Sequence, residues 1–101
     1  MAMQISNITF RFHDYDPRGD TLFLGVDGPS EREPDDTYDT PEGHFVELDE
    51  EGSVVAIELM NPRWLLERDG HLTLTLEGRE AVDCTDELTL LLAQSSAAPG
   101  R

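Results

Sequence analysis

A chain of 101 residues has enough material for one hydrophobic core and too little for two. Its 22 acids against seven arginines, with no lysine, give a formal charge of −15, which repels nucleic acid phosphate and anionic lipid and suits a basic protein or solvent cations. The lone cysteine, Cys84, excludes an internal disulfide, and no apolar stretch approaches the ~20 residues that span a bilayer.

The first residues, Met1-Ala2-Met3-Gln4-Ile5-Ser6, lack a basic region followed by a long apolar run. A soluble cytoplasmic protein is therefore expected. Ile8, Phe10 and Phe12 alternate with Thr9, Arg11 and His13, the period of a strand with one buried face. Asp16-Pro17-Arg18-Gly19 has turn chemistry, with the glycine expected in the left-handed region. Thr21 to Val26 returns as the partner strand. A three-residue loop between Asp16 and Asp20 would set Phe12 against Leu24 and Phe10 against Val26, on one apolar side.

Asp27 to Gly43 is rich in acids and prolines, which predicts a long mobile loop. Phe45 to Leu59 follows as a second hairpin around Asp49-Glu50-Glu51-Gly52, with Asp49 bonding the turn and Gly52 left-handed. Laid over the first hairpin, it puts Phe45 on Phe12, Asp49 on Asp16, Gly52 on Gly19 and Ile57 on Leu24. By that analogy Phe45, Val55, Ile57 and Leu59 join Phe10, Phe12, Leu22 and Leu24 in the core. Val46, Leu48, Val54 and Met60 then form a second apolar stripe, to be covered by a helix or a second subunit.

Asn61-Pro62-Arg63-Trp64 to Gly70 predicts a short helix, capped by Asn61, stopped by Gly70 and anchored by Trp64 and Leu65. His71 to Leu76 alternates as a strand with leucines inward, and Arg79 to Cys84 is a further short strand. Thr85-Asp86-Glu87 starts a helix carrying Leu88, Leu91 and Leu92, although Leu88, Leu90 and Leu92 also alternate as in a strand. The expected fold is one α+β domain over 1–94: an antiparallel sheet of two similar hairpins plus later strands, with one or two short helices and a flexible tail at 95–101.

Tyr15-Asp16-Pro17, Asp20-Thr21-Leu22-Phe23-Leu24, Asp49 to Glu58 and Ile57 to Leu65 together resemble an uncharacterised bacterial and archaeal family, domain of unknown function 2283. The resemblance covers roughly Phe10 to Leu66. The long acidic loop and the extension beyond Gly70 depart from the short family members. The resemblance implies no catalytic residues. The proximity of some members to toxin genes motivates an antitoxin-like reading.

Several clusters invite chemistry. His13, Asp14, Asp16 and Asp20 crowd the first turn but lack the acid order and central glycine of a calcium loop, so turn formation is the favoured role. Arg18-Gly19-Asp20 spells an adhesion tripeptide by chance. Glu31, Glu33, Asp35, Asp36, Asp39 and Glu42 read as a solvated acidic loop. With a three-residue second loop, His44 would sit across from Glu58, more plausibly as a structural pair than as an acid–base pair. Cys84 has no basic neighbour and reads as a buried small residue. No residue is assigned a catalytic, cofactor-binding or metal-binding role. The expected function is a non-enzymatic, self-associating interaction module, a homodimer or higher symmetric oligomer. The alternative is an antitoxin-like partner that neutralises a basic toxin protein.

Overall fold

The structure, a computed structural model, describes residues 3–27 and 36–96. A small hairpin comes first, of β1 (Met3–Ile5) and β2 (Ile8–Phe10). Ser6 and Asn7 join the two strands, both at positive φ, in a turn whose twist matches a strand pair. The single strand expected over Ile8 to His13 is thus broken at Arg11, where the chain leaves this hairpin for the main sheet.

That sheet contains β3 (Phe12–Asp16), β4 (Thr21–Gly25), β5 (Asp36–Asp39), β6 (Phe45–Leu48) and β7 (Val54–Met60). All neighbours are antiparallel, in the order β3-β4-β7-β6-β5. Both expected hairpins are present and meet through their return strands, β4 and β7. The edge strand β5 lies within the stretch read as loop; Tyr38 packs against the core and gives this strand its anchor. Residues 28–35 of that expected loop lie outside the described residues, whereas Thr40 to Gly43 form a turn in which the Gly43 N–H donates to the Thr40 carbonyl at 2.9 Å. Two acids in so short an edge strand discourage pairing with another chain.

Beyond the sheet come α1 (Pro62–Asp69), β8 (Thr73–Leu74), β9 (Val82–Asp83) and α2 (Thr85–Ser96), with β8 and β9 paired. Leu72, Leu74 and Leu76 are all buried as the alternation predicts, although only Thr73 and Leu74 are in strand conformation. α2 is helical because Leu88, Leu91 and Leu92 fall on one face and are buried, whereas Leu90 is 58% exposed. It extends to Ser96, past the expected start of the tail.

One core receives these pieces. Leu22, Leu24, Val46, Ile57 and Leu59 from the sheet meet Met3, Ile5 and Phe10 from the first hairpin and the leucines of β8 and α2. Leu65 and Leu66 of α1 pack against the same cluster. Trp64 does not: it is 53% exposed, with the Arg68 guanidinium 4.5 Å from its ring centroid. This corrects its expected role as an anchor.

Which face each sheet residue takes is decided by single-residue offsets. The first loop has four residues, not three, since Asp16 pairs with Thr21. Phe12 therefore faces Gly25 rather than Leu24 and lands on the side away from the core. In the second hairpin Leu48 pairs with Val54, as a three-residue loop requires, but Glu47 pairs with Ala56. Val55 is the extra residue of a β-bulge, and its carbonyl accepts the Val26 N–H at 2.9 Å. Past the bulge Phe45 faces Glu58 and Val46 faces Ile57. The expected apolar stripe is thereby dismantled: Val46 is fully buried, Leu48 and Val54 pack against the core, and only Met60 keeps to the other side.

Asp20, at φ 49, is the left-handed residue of the first turn, in place of Gly19. Its carboxylate accepts the Arg63 and Trp64 N–H groups at 3.1 and 3.0 Å, and the Tyr15 hydroxyl at 2.9 Å. Its carbonyl accepts the Asn61 N–H at 2.7 Å. Asp20 thus caps α1 from another part of the chain, whereas Asn61, the expected cap, is left-handed and makes no side-chain cap bond. Burial, together with the Asp20 hydrogen bond and charge, pushes the Tyr15 hydroxyl up to about 12. Pro62 at the first turn and a left-handed Gly70 at the end behave as the sequence predicts.

Asp20→Ala should therefore lower unfolding free energy by about 2 kcal/mol, the upper range for a lost cap. Asn61→Gly should be neutral or stabilising by about 0.5 kcal/mol, because glycine relieves a left-handed residue that caps nothing. Urea denaturation of both variants checks this; an Asn61→Gly loss larger than that of Asp20→Ala contradicts the assignment.

Candidate functional site

The side of the main sheet away from the core carries an ordered pattern. One row across the strands reads Asp14, Phe23, Glu58, Phe45, Asp39, each directly opposite the next. The adjacent row reads Phe12, Gly25, Ala56, Glu47, Thr37. Aromatic residues and acids alternate along the first row because each strand contributes one outward residue, three of them acids. Phe12 and Phe23 meet edge to face, with ring centroids 6.0 Å apart. Phe12, Phe23, Phe45 and Met60 are all partly exposed and belong to neither the core nor the layer packed on it. Both helices contribute leucines to the opposite face.

Glu47 and Glu58 are diagonal neighbours on β6 and β7. Glu47 is only 8% exposed. Burial pushes its carboxyl up from the ordinary range, aided by a hydrogen bond to Glu58 and by that neighbour's charge. No residue in the five strands of this sheet is an arginine or lysine, so no cation in those strands neutralises the pair.

His44 and Glu58 do not meet. The bulge places Phe45, not His44, across from Glu58, and His44 turns into the core at 1% exposure. Its Nδ1 accepts the Met60 N–H at 3.0 Å, which puts the proton on Nε2, and Nε2 has no partner among the described residues. Burial lowers its pKa, with the Glu42 charge opposing. Glu42, expected in a solvated loop, is instead partly buried and receives the Thr75 N–H and hydroxyl at 3.0 and 2.6 Å. Burial raises its carboxyl, but the Thr75 hydrogen bonds outweigh that and hold it below the ordinary value.

The first-turn cluster separates as well. His13 lies opposite Leu24 on the core side, Asp14 is exposed on the other face, and Asp16 accepts the Arg18 N–H at 3.0 Å as a turn residue. Asp20 goes to the α1 cap. Glu31, Glu33 and Asp35 lie outside the described residues. Among the described residues no three His, Cys, Asp or Glu side chains gather as metal ligands. Cys84 is buried, and burial with the charges of Glu87, Asp83 and Glu42 pushes its thiol up to about 12. An apolar cleft of about 190 Å³ lies between β1 and α2, lined by Met3, Leu90, Leu91 and His13. No helix among the described residues is long and apolar enough to cross a membrane.

Sequence reasoning misses the Glu47–Glu58 pair because an unbulged hairpin sets Glu58 opposite His44. The available signal was the run of outward acids at Asp14, Asp39, Glu47 and Glu58, which becomes a row only once the bulge is placed.

Fold and face together define a small α+β protein whose sheet, among the described residues, has one covered and one open face. Residues 13–62 match the family described as Protein of unknown function (DUF2283), and through this segment the chain belongs to that family. The match runs from β3 to the first residue of α1, the segment that builds the open face. No curated protein and no solved structure shows significant similarity to the chain.

Two of the buried titrating groups, Glu47 and His44, act in opposite directions on stability. Glu47, with its folded pKa raised, contributes stability that is full below about pH 4.5 and lost as pH rises through the folded pKa. His44, with its folded pKa lowered, contributes stability that is full above about pH 6.5 and lost as pH falls through the folded value. Glu47→Gln should keep the hydrogen bond to Glu58 without the charge. It should gain about 1 kcal/mol over the parent at pH 7 and nothing at pH 4. Guanidinium melts at the two pH values test this; equal effects at both contradict the buried pair.

Proposed function

We propose that the protein is a non-enzymatic interaction module whose docking surface is the open face of the five-stranded sheet. The observation that carries this reading is the set Phe12, Phe23, Phe45 and Met60, apolar side chains on a face that neither helix packs against. Phe12 and Phe23 touch, and partly exposed aromatic side chains grouped on one uncovered face are the kind of surface that binds a partner. A second copy would make the protein a homodimer or higher symmetric oligomer. A basic protein partner, an antitoxin-like role, would draw on the charge of −15. A cytoplasmic location fits the single free cysteine.

A hydrolytic role for the Glu47 and Glu58 carboxyls has less support among the described residues. Glu47 and Glu58 are diagonal neighbours on β6 and β7, with Glu47 buried. The buried histidine that could serve as a base turns to the other side of the sheet.

A docking face contributes to binding more than to folding. Phe45→Ser should cost about 1 kcal/mol of stability, whereas Leu24→Ala, in the core, should cost about 2–5 kcal/mol. Light scattering then reads association directly. A dimer that Phe45→Ser dissociates without unfolding identifies the second copy as occupant. A Phe45→Ser loss as large as that of Leu24→Ala means that the face is part of the fold, and the docking reading fails.

A further inference from the structure

On the reading that the open face docks a protein, we propose that its occupant is a basic amphipathic helix of another protein, laid across the strands with its cations seated on the acids between the phenyl rings. Charge complementarity selects this partner. The row Asp14, Phe23, Glu58, Phe45, Asp39 offers three acids separated by two aromatics, and Glu47 adds a fourth beside the central one. Asp16, in the next row, adds to the same sign. No arginine or lysine lies in the strands that make up this surface. A second copy of the chain would lay this acidic pattern against itself. Repulsion would then oppose the apolar contact at every row.

Spacing favours a helix. Strands lie about 4.8 Å apart, so acids on alternate strands stand about 10 Å apart. Residues seven apart on a helix are separated by about 10.5 Å along its axis. Cations at every seventh position therefore register with Asp14, Glu58 and Asp39, and apolar side chains between them meet Phe23 and Phe45. Each phenyl ring also presents a negative face to a neighbouring cation. Glu47 and Glu58 are diagonal neighbours on β6 and β7, where one guanidinium can meet both carboxylates.

The test uses the whole chain and three synthetic helical peptides. The first carries arginine at every seventh position with leucines midway between. The second has the same composition scrambled, and the third has glutamate in place of arginine. Binding is followed by titration calorimetry and by the amide signals of Phe23, Ala56, Phe45 and Glu58 at physiological salt. The patterned peptide should bind at least about tenfold more tightly than the scrambled one and shift those signals. The double change Glu47→Gln, Glu58→Gln should weaken it about tenfold without loss of fold, because each removed charge faces a cation. Equal binding of patterned and scrambled peptides reduces the effect to net charge and overturns the proposal. Shifts on the open face that the double variant leaves unchanged overturn the cation seat while sparing the docking face. Shifts confined to other surfaces overturn both. The same signals moving with protein concentration alone would give the face to a second copy, and this proposal would be wrong.

Discussion

Register in the central strand β7 is the constraint on which the rest depends. The extra residue at Val55 advances the pairing by one, and every side chain beyond it on β6 changes its partner. Val46, Ile57, Leu59, Leu22 and Leu24 then share one side, and Phe45, Glu58 and Phe23 share the other. Burying each aliphatic chain is worth roughly 1.5–3 kcal/mol, so a slip that turned this set outward would lose several of these at once. The bulge is held on its outer side as well, because the Val55 carbonyl bonds Val26 beside β4. The core and the open face are two consequences of one offset.

Asp20 supplies the tie between sheet and helix. A single carboxylate answers two N–H groups at the start of α1 and the Tyr15 hydroxyl, and Arg63 stacks over the Tyr15 ring at 5.3 Å from its centroid. The turn after β3 and the junction after β7 are thereby fixed to each other. Charged hydrogen bonds of this kind are stronger than neutral ones and favour one docking of the helix over its neighbours. On the other side of the core, Glu42 performs a comparable service by holding Thr75.

Much of this was legible in the sequence, and the losses have a common cause. Local chemistry named the second turn, where the Asp49 carboxylate accepts the Glu51 and Ser53 N–H groups and Gly52 is left-handed. It also named Pro62 and Gly70 on α1, the leucines of α2 and the inward leucines at 72, 74 and 76. What failed in the sheet was register: the three-residue count held at the second turn, but the first turn had one residue more and the bulge had no local signal. One more loop residue before Thr21 and one bulged residue at Val55 sent Phe12 and Phe45 to the face opposite the one their alternation implied. The cap of α1 was invisible for a different reason: Asn61 had the right chemistry at the right place, but the bond came from Asp20, distant in sequence. The acidic pair was hidden by the same offset that removed His44 from Glu58.

The most direct measurement is the pattern of cross-strand proton contacts between β6 and β7 in a nuclear Overhauser spectrum. The bulged register predicts backbone contacts linking Phe45 with Glu58 and Val46 with Ile57, with Leu48 facing Val54 and Val55 unmatched. Contacts linking His44 with Glu58 and Val46 with Ala56 would mean an unbulged hairpin, with Phe45 directed into the core and no aromatic–acid row on the open side.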